Sequence, residues 1–189
     1  GRKVEIITRD TTGAAPDIAK RHAQELITRD NVDILAGFGL TPNALAVAPI
    51  DAEAKKPMVI MNAATSVITT RSPYIVRVSH TLPQQTQPIA QWALKNGVKR
   101  AYTLVSDYGP GIDSEVQFVK SFKAGGGEIV DSVRVPLQNP DFAPYLQRIK
   151  DSKPDAVFVF LPPGSQTIGF IKGYEDRGLK QAGIRLIGT

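Results

Sequence analysis

Residues 148–164 read RIKDSKPDAVFVFLPPG, and residues 26–39 read LITRDNVDILAGFG. Both stretches lead from a helical pattern through an Asp into an apolar run and a glycine loop that opens another helical pattern. Unbroken apolar strands that alternate with helices are typical of a parallel sheet covered on both faces. Two copies of this plan predict an α/β protein with two Rossmann-like lobes rather than one continuous sheet.

The periodicity of apolar residues predicts the individual elements. Strands are expected at 4–7, 32–36, 58–61, 74–78, 101–105, 129–135, 157–161 and 184–187. Helices are expected at 15–28, 43–54, 87–95, 112–123, 142–150 and 165–177. The first strand and helix of the second copy have no counterpart ahead of the first copy. We therefore expect a fragment, with a first lobe over residues 1–79 that lacks its opening strand and helix, and a second lobe over residues 80–189.

The composition excludes several classes of function. There are 23 Lys and Arg against 18 Asp and Glu, a net charge of +5. The basic residues stand in scattered pairs, so the pattern favours an ordinary basic surface over a nucleic-acid site. The absence of Cys excludes disulfides, thiol nucleophiles and Cys-based metal sites. No apolar run reaches the roughly 20 residues that a membrane-spanning helix needs.

Groups suited to catalysis are scarce. His22 lies beside the apolar stripe of its helix, and His80 lies in the connector between the copies without a carboxylate partner visible in sequence. Gly164 and Ser165 do not complete the Gly-x-Ser-x-Gly nucleophile elbow. No spacing of His, Asp and Glu resembles a metal site. We therefore expect no enzyme activity, no metal and no cofactor.

The glycine loop at residues 37–42 is a candidate binding site. It carries the first two glycines of a dinucleotide-binding fingerprint, but Pro42 stands where that fingerprint needs Gly or Ala. A site for a small anion is the better interpretation. We expect Thr41 to cap the next helix, so that its hydroxyl and the free N–H groups of the first helical turn suit a carboxylate.

Further loops follow neighbouring strands. Residues 62–66 offer small side chains and a second hydroxyl, that of Thr65. In the second copy, the loops at 107–111 and 162–165 occupy the equivalent edge. Tyr108 is a candidate to lie over a ligand and donate its hydroxyl.

An ordered series of short motifs resembles the type 1 periplasmic solute-binding proteins, in the branch that serves branched-chain amino-acid ABC transporters. The series comprises residues 1–5, 9–10, 26–27, 32–33, 62–65, 77–79, 106–109, 135–136, 141–142, 153–156 and 178–179, with Asp30 and Tyr74. None of these motifs is specific alone, and the resemblance lies in their order along the whole chain.

The resemblance implies two lobes that are joined by a hinge, close on a ligand and dock on a membrane permease. It implies that N–H groups and hydroxyls of the first lobe hold a carboxylate, at positions matched by Thr41, Ala63 and Thr65. Tyr108 and the loop at Pro163 and Gly164 match positions of the second lobe that cover the ligand. On this basis the second lobe lacks its C-terminal part and the later hinge crossings.

The function expected from the resemblance is that of a periplasmic receptor of an ABC importer. Its ligand would be a small carboxylate, such as a branched-chain or other amino acid or an aromatic acid. The precursor would carry a signal peptide, and the full-length protein would be a monomer. A cytoplasmic sensor domain of the same fold and an NAD-dependent enzyme are the alternatives.

Overall fold

The computed structural model describes Gly1 and residues 3–189, and the chain divides into two compact units. The first unit is Gly1–Thr81 and the second is Leu82–Thr189. The division falls at Thr81, whereas the boundary expected from the sequence lies at residue 79. Each unit has its own parallel sheet, which confirms the α/β class predicted from the alternating pattern.

The first unit is built on a three-stranded parallel sheet in the order β1-β2-β3. Its elements are α1 (Pro16–Thr28), β1 (Leu35–Gly37), α2 (Thr41–Ala54), β2 (Met58–Ile60), a 3-10 turn (Ser66–Thr70) and β3 (Ile75–Arg77). Apolar residues of the strands are buried with small residues of the two helices, among them Leu35, Met58, Ile60, Ala19, Ala23, Ala44 and Val47.

The second unit has a four-stranded parallel sheet in the order β5-β4-β6-β7. Its elements are α3 (Leu82–Lys95), β4 (Arg100–Ser106), α4 (Gly109–Ala124), β5 (Glu128–Val135), α5 (Ala143–Ser152), β6 (Ala156–Phe160), α6 (Ser165–Asp176) and β7 (Arg185–Gly188). Phe118 stacks on Phe158 and Phe122 with ring centroids 4.2 and 5.3 Å apart, which joins α4 to β6.

The strand expected at residues 4–7 is wrong. This stretch pairs with no strand in the described part of the chain, and Val4 and Ile6 are 89% and 81% exposed. A β-strand is held by hydrogen bonds to a neighbouring strand, so the apolar pattern alone does not create one.

Helix α3 begins at Leu82, five residues before the expected start at Gln87. Pro83 lies in the first turn, where the missing N–H costs no helical bond, and Pro88 is accommodated inside the helix. Thr86, Ala90 and Ala93 form the buried face that supports the helix. No helix in the described part of the chain has the length and apolarity needed to cross a membrane.

Candidate functional site

The two loops that follow β1 and β2 are joined by a hydrogen bond between threonine hydroxyls. Thr41 Oγ1 lies 2.8 Å from Thr65 Oγ1, and the two residues are 2% and 5% exposed. The loops run side by side because the pairing of the strands continues beyond their ends. Met61 N–H donates to the Gly37 carbonyl, and Ala63 N–H donates to the Phe38 carbonyl.

The start of α2 differs from the expectation. The N-cap is Leu40, and Thr41 is the first helical residue, so the prediction that Thr41 caps the helix is wrong. The turn after Gly37 uses left-handed backbone conformations at both Gly37 and Phe38, with φ of 115° and 61°. This turn directs the Thr41 hydroxyl towards the neighbouring loop instead of its own helix, where it meets Thr65.

These loops leave hydrogen-bond donors unengaged. The N–H groups of Thr41, Asn43, Ala64 and Thr65 donate to no acceptor among the described residues. In the hydroxyl pair, one proton lies between the two oxygens, which leaves one proton for a further acceptor. A helix N-terminus and a second donor loop therefore meet at the edge of the sheet, an arrangement that suits an anion.

Ala63 contributes less than its expected role implies. Its N–H is already bound to the Phe38 carbonyl at 2.9 Å, so it has no proton to offer a ligand. Its side chain is 2% exposed. At this loop, Thr65 and Ala64 supply the available N–H groups.

Arg77 and Asn62, which the sequence did not single out for the site, hold the second loop in place. Arg77 Nε donates to the Ala63 carbonyl at 3.2 Å, and Arg77 Nη2 donates to the Thr65 carbonyl at 2.6 Å. Asn62 Nδ2 donates to the Gly39 carbonyl at 2.9 Å, across to the first loop. Spacing along the chain gives no signal that Arg77, at the end of β3, reaches the loop that follows β2.

Asn43 ties a third segment to the same helix start. Its Nδ2 donates to Thr11 Oγ1 at 3.0 Å and to the Gly13 carbonyl at 2.8 Å. Its Oδ1 is buried and accepts no hydrogen bond from the described residues. The Gly13 contact requires the amide nitrogen on that side, because a carbonyl oxygen only accepts.

In the second unit, Tyr108 lies at the N-cap of α4, directly after β4. Its ring is 6.3 Å from the ring of Phe160, at an angle of 37°. The Tyr108 hydroxyl forms no hydrogen bond within the described residues. Burial raises the pKa of Tyr108 to about 12, so the hydroxyl remains protonated at neutral pH. The edge of this unit therefore presents an aromatic pair and a neutral hydroxyl.

Pro163 and Gly164 lie in the exposed loop after β6, and Gly164 is the N-cap of α6 with a φ of 108°. Gln166 joins this loop to its neighbours. The Ser106 hydroxyl donates to Gln166 Oε1 at 3.1 Å, and Gln166 Nε2 donates to the Leu137 carbonyl. The end of β4, the loop after β5 and the start of α6 are thus linked by Gln166, a residue that the sequence analysis did not single out.

Side chains that could bind a metal do not cluster in the described part of the chain. It contains no group of three His, Asp or Glu side chains that would hold a metal ion. His22 Nδ1 lies 3.7 Å from Glu25 Oε2, and both residues belong to α1.

Comparison with known proteins extends these observations. The sequence profile of the family described as periplasmic binding proteins matches residues 1–189. The Leu/Ile/Val-binding protein homolog 6 of Brucella melitensis is 52% identical over 97% of this chain and 47% of its own length. The chain thus spans about half the length of the curated relatives it matches.

Solved structures give the same result. A solute-binding protein of an ABC transporter from R. palustris, in complex with 4-hydroxybenzoate, is 53% identical with a TM-score of 0.94, over 97% of this chain and 50% of that one. A second solute-binding protein, from Rhodopseudomonas palustris BisB5 in complex with 3,4-dihydroxybenzoic acid, is 56% identical with a TM-score of 0.93. The match covers 99% of this chain and 51% of that one. A leucine-binding protein from Thermotoga maritima is 28% identical with a TM-score of 0.83, and the match covers 98% of this chain and 53% of that one. The chain belongs to the periplasmic binding protein family and has its type 1 α/β fold.

Proposed function

We propose that this chain is the ligand-binding part of an extracytoplasmic receptor of an ABC importer, and that its ligand is a small carboxylate. Hydroxylated aromatic acids are the first choice, and branched-chain amino acids are the second. Solute-binding proteins more than 50% identical to this chain are in complex with 4-hydroxybenzoate and 3,4-dihydroxybenzoic acid. The leucine-binding relative is more distant.

The observation that carries the proposal is the donor cluster around Thr41 and Thr65. Free N–H groups from the start of α2 and from the neighbouring loop accompany a hydroxyl pair that retains one proton. Hydrogen bonds to a charged group contribute more than bonds between neutral groups, about 1.5–3 kcal/mol each. A carboxylate accepts several such bonds, whereas a neutral ester or an alcohol accepts fewer and weaker ones.

Tyr108 supports the preference for an aromatic acid. In this proposal the units Gly1–Thr81 and Leu82–Thr189 act as the two lobes, and the second supplies Tyr108, Pro163 and Gly164. The Tyr108 and Phe160 rings offer aromatic surface to a benzene ring, and the neutral Tyr108 hydroxyl offers a hydrogen bond to a ring hydroxyl.

The receptor is not an enzyme in this proposal, and it requires no metal or cofactor. Its partners are the small ligand and the permease of the transporter, with no nucleic acid, and the full-length protein is a monomer in the periplasm. The relatives found are transporter solute-binding proteins, which gives no support to the cytoplasmic sensor. Fractionation of cells that express the intact gene tests this directly: the protein is expected in the periplasmic fraction, and recovery in the cytoplasm contradicts the proposal.

The ligand is tested by thermal shift and calorimetry on the intact protein. The panel comprises 4-hydroxybenzoate, 3,4-dihydroxybenzoate, benzoate and leucine. A ligand at 100 times its Kd stabilises the folded protein by about 2.7 kcal/mol, which is readily detected as a rise in Tm. We expect hydroxybenzoates to give the largest rise. A rise with leucine alone would select the second choice, and no rise with any member would refute the carboxylate receptor.

A further inference from the structure

The guanidinium of Arg77 determines which polar groups the loop at residues 62–65 can present. Arg77 is the last residue of β3, and its Nε and Nη2 donate to the carbonyl oxygens of Ala63 and Thr65. The two carbonyls are two residues apart, so one planar side chain fixes both peptide groups. A planar guanidinium provides two donors in a rigid arrangement, which an ammonium group does not.

These two bonds affect the sign of the electrostatic potential that the loop presents to a ligand. Carbonyl oxygens carry partial negative charge and repel a carboxylate, and two of them are turned towards Arg77. The Ala63 N–H is bound to the Phe38 carbonyl, while the N–H groups of Ala64 and Thr65 remain unengaged. The loop is therefore rich in available donors next to the Thr41 hydroxyl.

We propose that Arg77 is a positioning residue that sets the preference of this site for an anionic ligand over its neutral amide. The inference rests on the proposed carboxylate-binding function, because it concerns the same loop. Arg77 acts without touching the ligand, by withdrawing two carbonyl oxygens and holding the donors of Ala64 and Thr65 in place. A primary amide carries N–H groups of its own, and the carbonyl oxygens of this loop, once freed from Arg77, would accept hydrogen bonds from them.

The test compares 4-hydroxybenzoate with 4-hydroxybenzamide on the intact protein by calorimetry. Wild type is expected to prefer the acid. Arg77→Met removes the donor from the Ala63 carbonyl and leaves the Thr65 carbonyl with only the Ile68 N–H, at 3.3 Å, and we expect the Kd for the acid to rise about tenfold or more. The Kd for the amide is expected to stay constant or fall, so the preference for the acid shrinks. Arg71→Met is the matched control, because Arg71 is an exposed arginine of the same unit. This variant should prefer the acid over the amide to the same degree as wild type.

Two further readouts separate positioning from a loss of folding. Circular dichroism and Tm are measured for each variant, since an unfolded protein loses both ligands equally. Arg77→Lys retains one cationic donor and should give an intermediate preference, which keeps the test available if the Met variant does not fold.

The outcomes distinguish this inference from the function on which it rests. Wild type that binds neither ligand and no other carboxylate refutes the proposed function, and the role of Arg77 with it. Wild type that prefers the acid, with Arg77 variants that retain the same preference, refutes the role of Arg77 and leaves the function intact. Wild type that binds the amide as tightly as the acid refutes the role of Arg77 as well.

Discussion

Removal of the hydroxyls of Thr41 and Thr65 should weaken ligand binding in a non-additive way. The two oxygens are 2.8 Å apart, so only one of the two hydroxyl protons remains for a ligand. In Thr65→Val, the Thr41 hydroxyl is released from the pair and donates in place of the lost group. In Thr41→Val, the Thr65 hydroxyl does the same. Each single variant should therefore lose only about 1 kcal/mol of binding free energy.

The double variant Thr41→Val/Thr65→Val leaves no hydroxyl proton for the carboxylate. It should lose about 3 kcal/mol, the upper end for a hydrogen bond to a charged group, which is more than a hundredfold in Kd. The interaction between the two positions is then about 1 kcal/mol, within the range measured for residues in contact.

The assay is isothermal titration of the intact protein with the best ligand of the panel. Thr28→Val is the matched control, because the Thr28 hydroxyl donates to the Gln24 carbonyl at the end of α1 and takes no part in the site. Its affinity should equal that of wild type. Single-variant losses that simply add up in the double variant would refute the shared-proton reasoning, and an unchanged Kd in the double variant would remove both residues from the site.

Three other predictions concern named side chains. Tyr108→Phe retains the ring beside Phe160 but loses the hydroxyl. We expect it to lose about 0.5–1.5 kcal/mol of hydroxybenzoate binding free energy with an unchanged Tm. Benzoate has no ring hydroxyl, so an equal loss for benzoate would contradict a hydrogen bond between the Tyr108 hydroxyl and the ligand's ring hydroxyl. Burial raises the pKa of Asp51 more than the hydrogen bond from Ser72 lowers it, so the folded state holds this proton more tightly than the unfolded state does. Stability therefore falls as the pH rises through that raised pKa. Asp51→Asn should therefore raise the urea midpoint at pH 7 and not at pH 3, and a lower midpoint at pH 7 would contradict this. For Asp155, burial raises the pKa, but hydrogen bonds from the N–H groups of Arg100 and Lys99, together with nearby positive charges, lower it by more, so the net pKa is lowered. The contribution of Asp155 to folding stability is therefore present at neutral pH and is lost as the pH falls through that lowered pKa. Asp155→Asn should lower the midpoint at pH 7 and lose this effect in strong acid, and an equal loss at both pH values would indicate a packing defect instead.

The sequence predicted the elements well where local pattern and burial agree. The apolar run at 157–161 became β6, and the helical stripe at 15–28 became α1, because both bury their apolar side chains within their own unit. The stretch at 4–7 also has an apolar pattern, interrupted by Glu5, but it has no partner strand in the described residues. Pairing is a tertiary property, which a local pattern does not contain.

The candidate site was predictable only in part. Thr41 and Thr65 follow adjacent apolar strands, so their placement at one edge of a parallel sheet follows from sequence. Their direct contact depends on the positive φ of Gly37 and Phe38 and on the alignment of Gly37 with Ile60 across β1 and β2. The role of Arg77 depends on the proximity of β3 to the loop after β2, which spacing along the chain does not indicate.

The most direct test of a carboxylate site at the Thr41 and Thr65 loops compares the affinity of the intact protein for 4-hydroxybenzoate with its affinity for the methyl ester, both measured by calorimetric titration. The two molecules share the ring and its hydroxyl, while the ester lacks the negative charge and adds one methyl group. The donor cluster predicts saturable binding of the acid and at least about a tenfold weaker affinity for the ester. Equal affinity for the two molecules would contradict it.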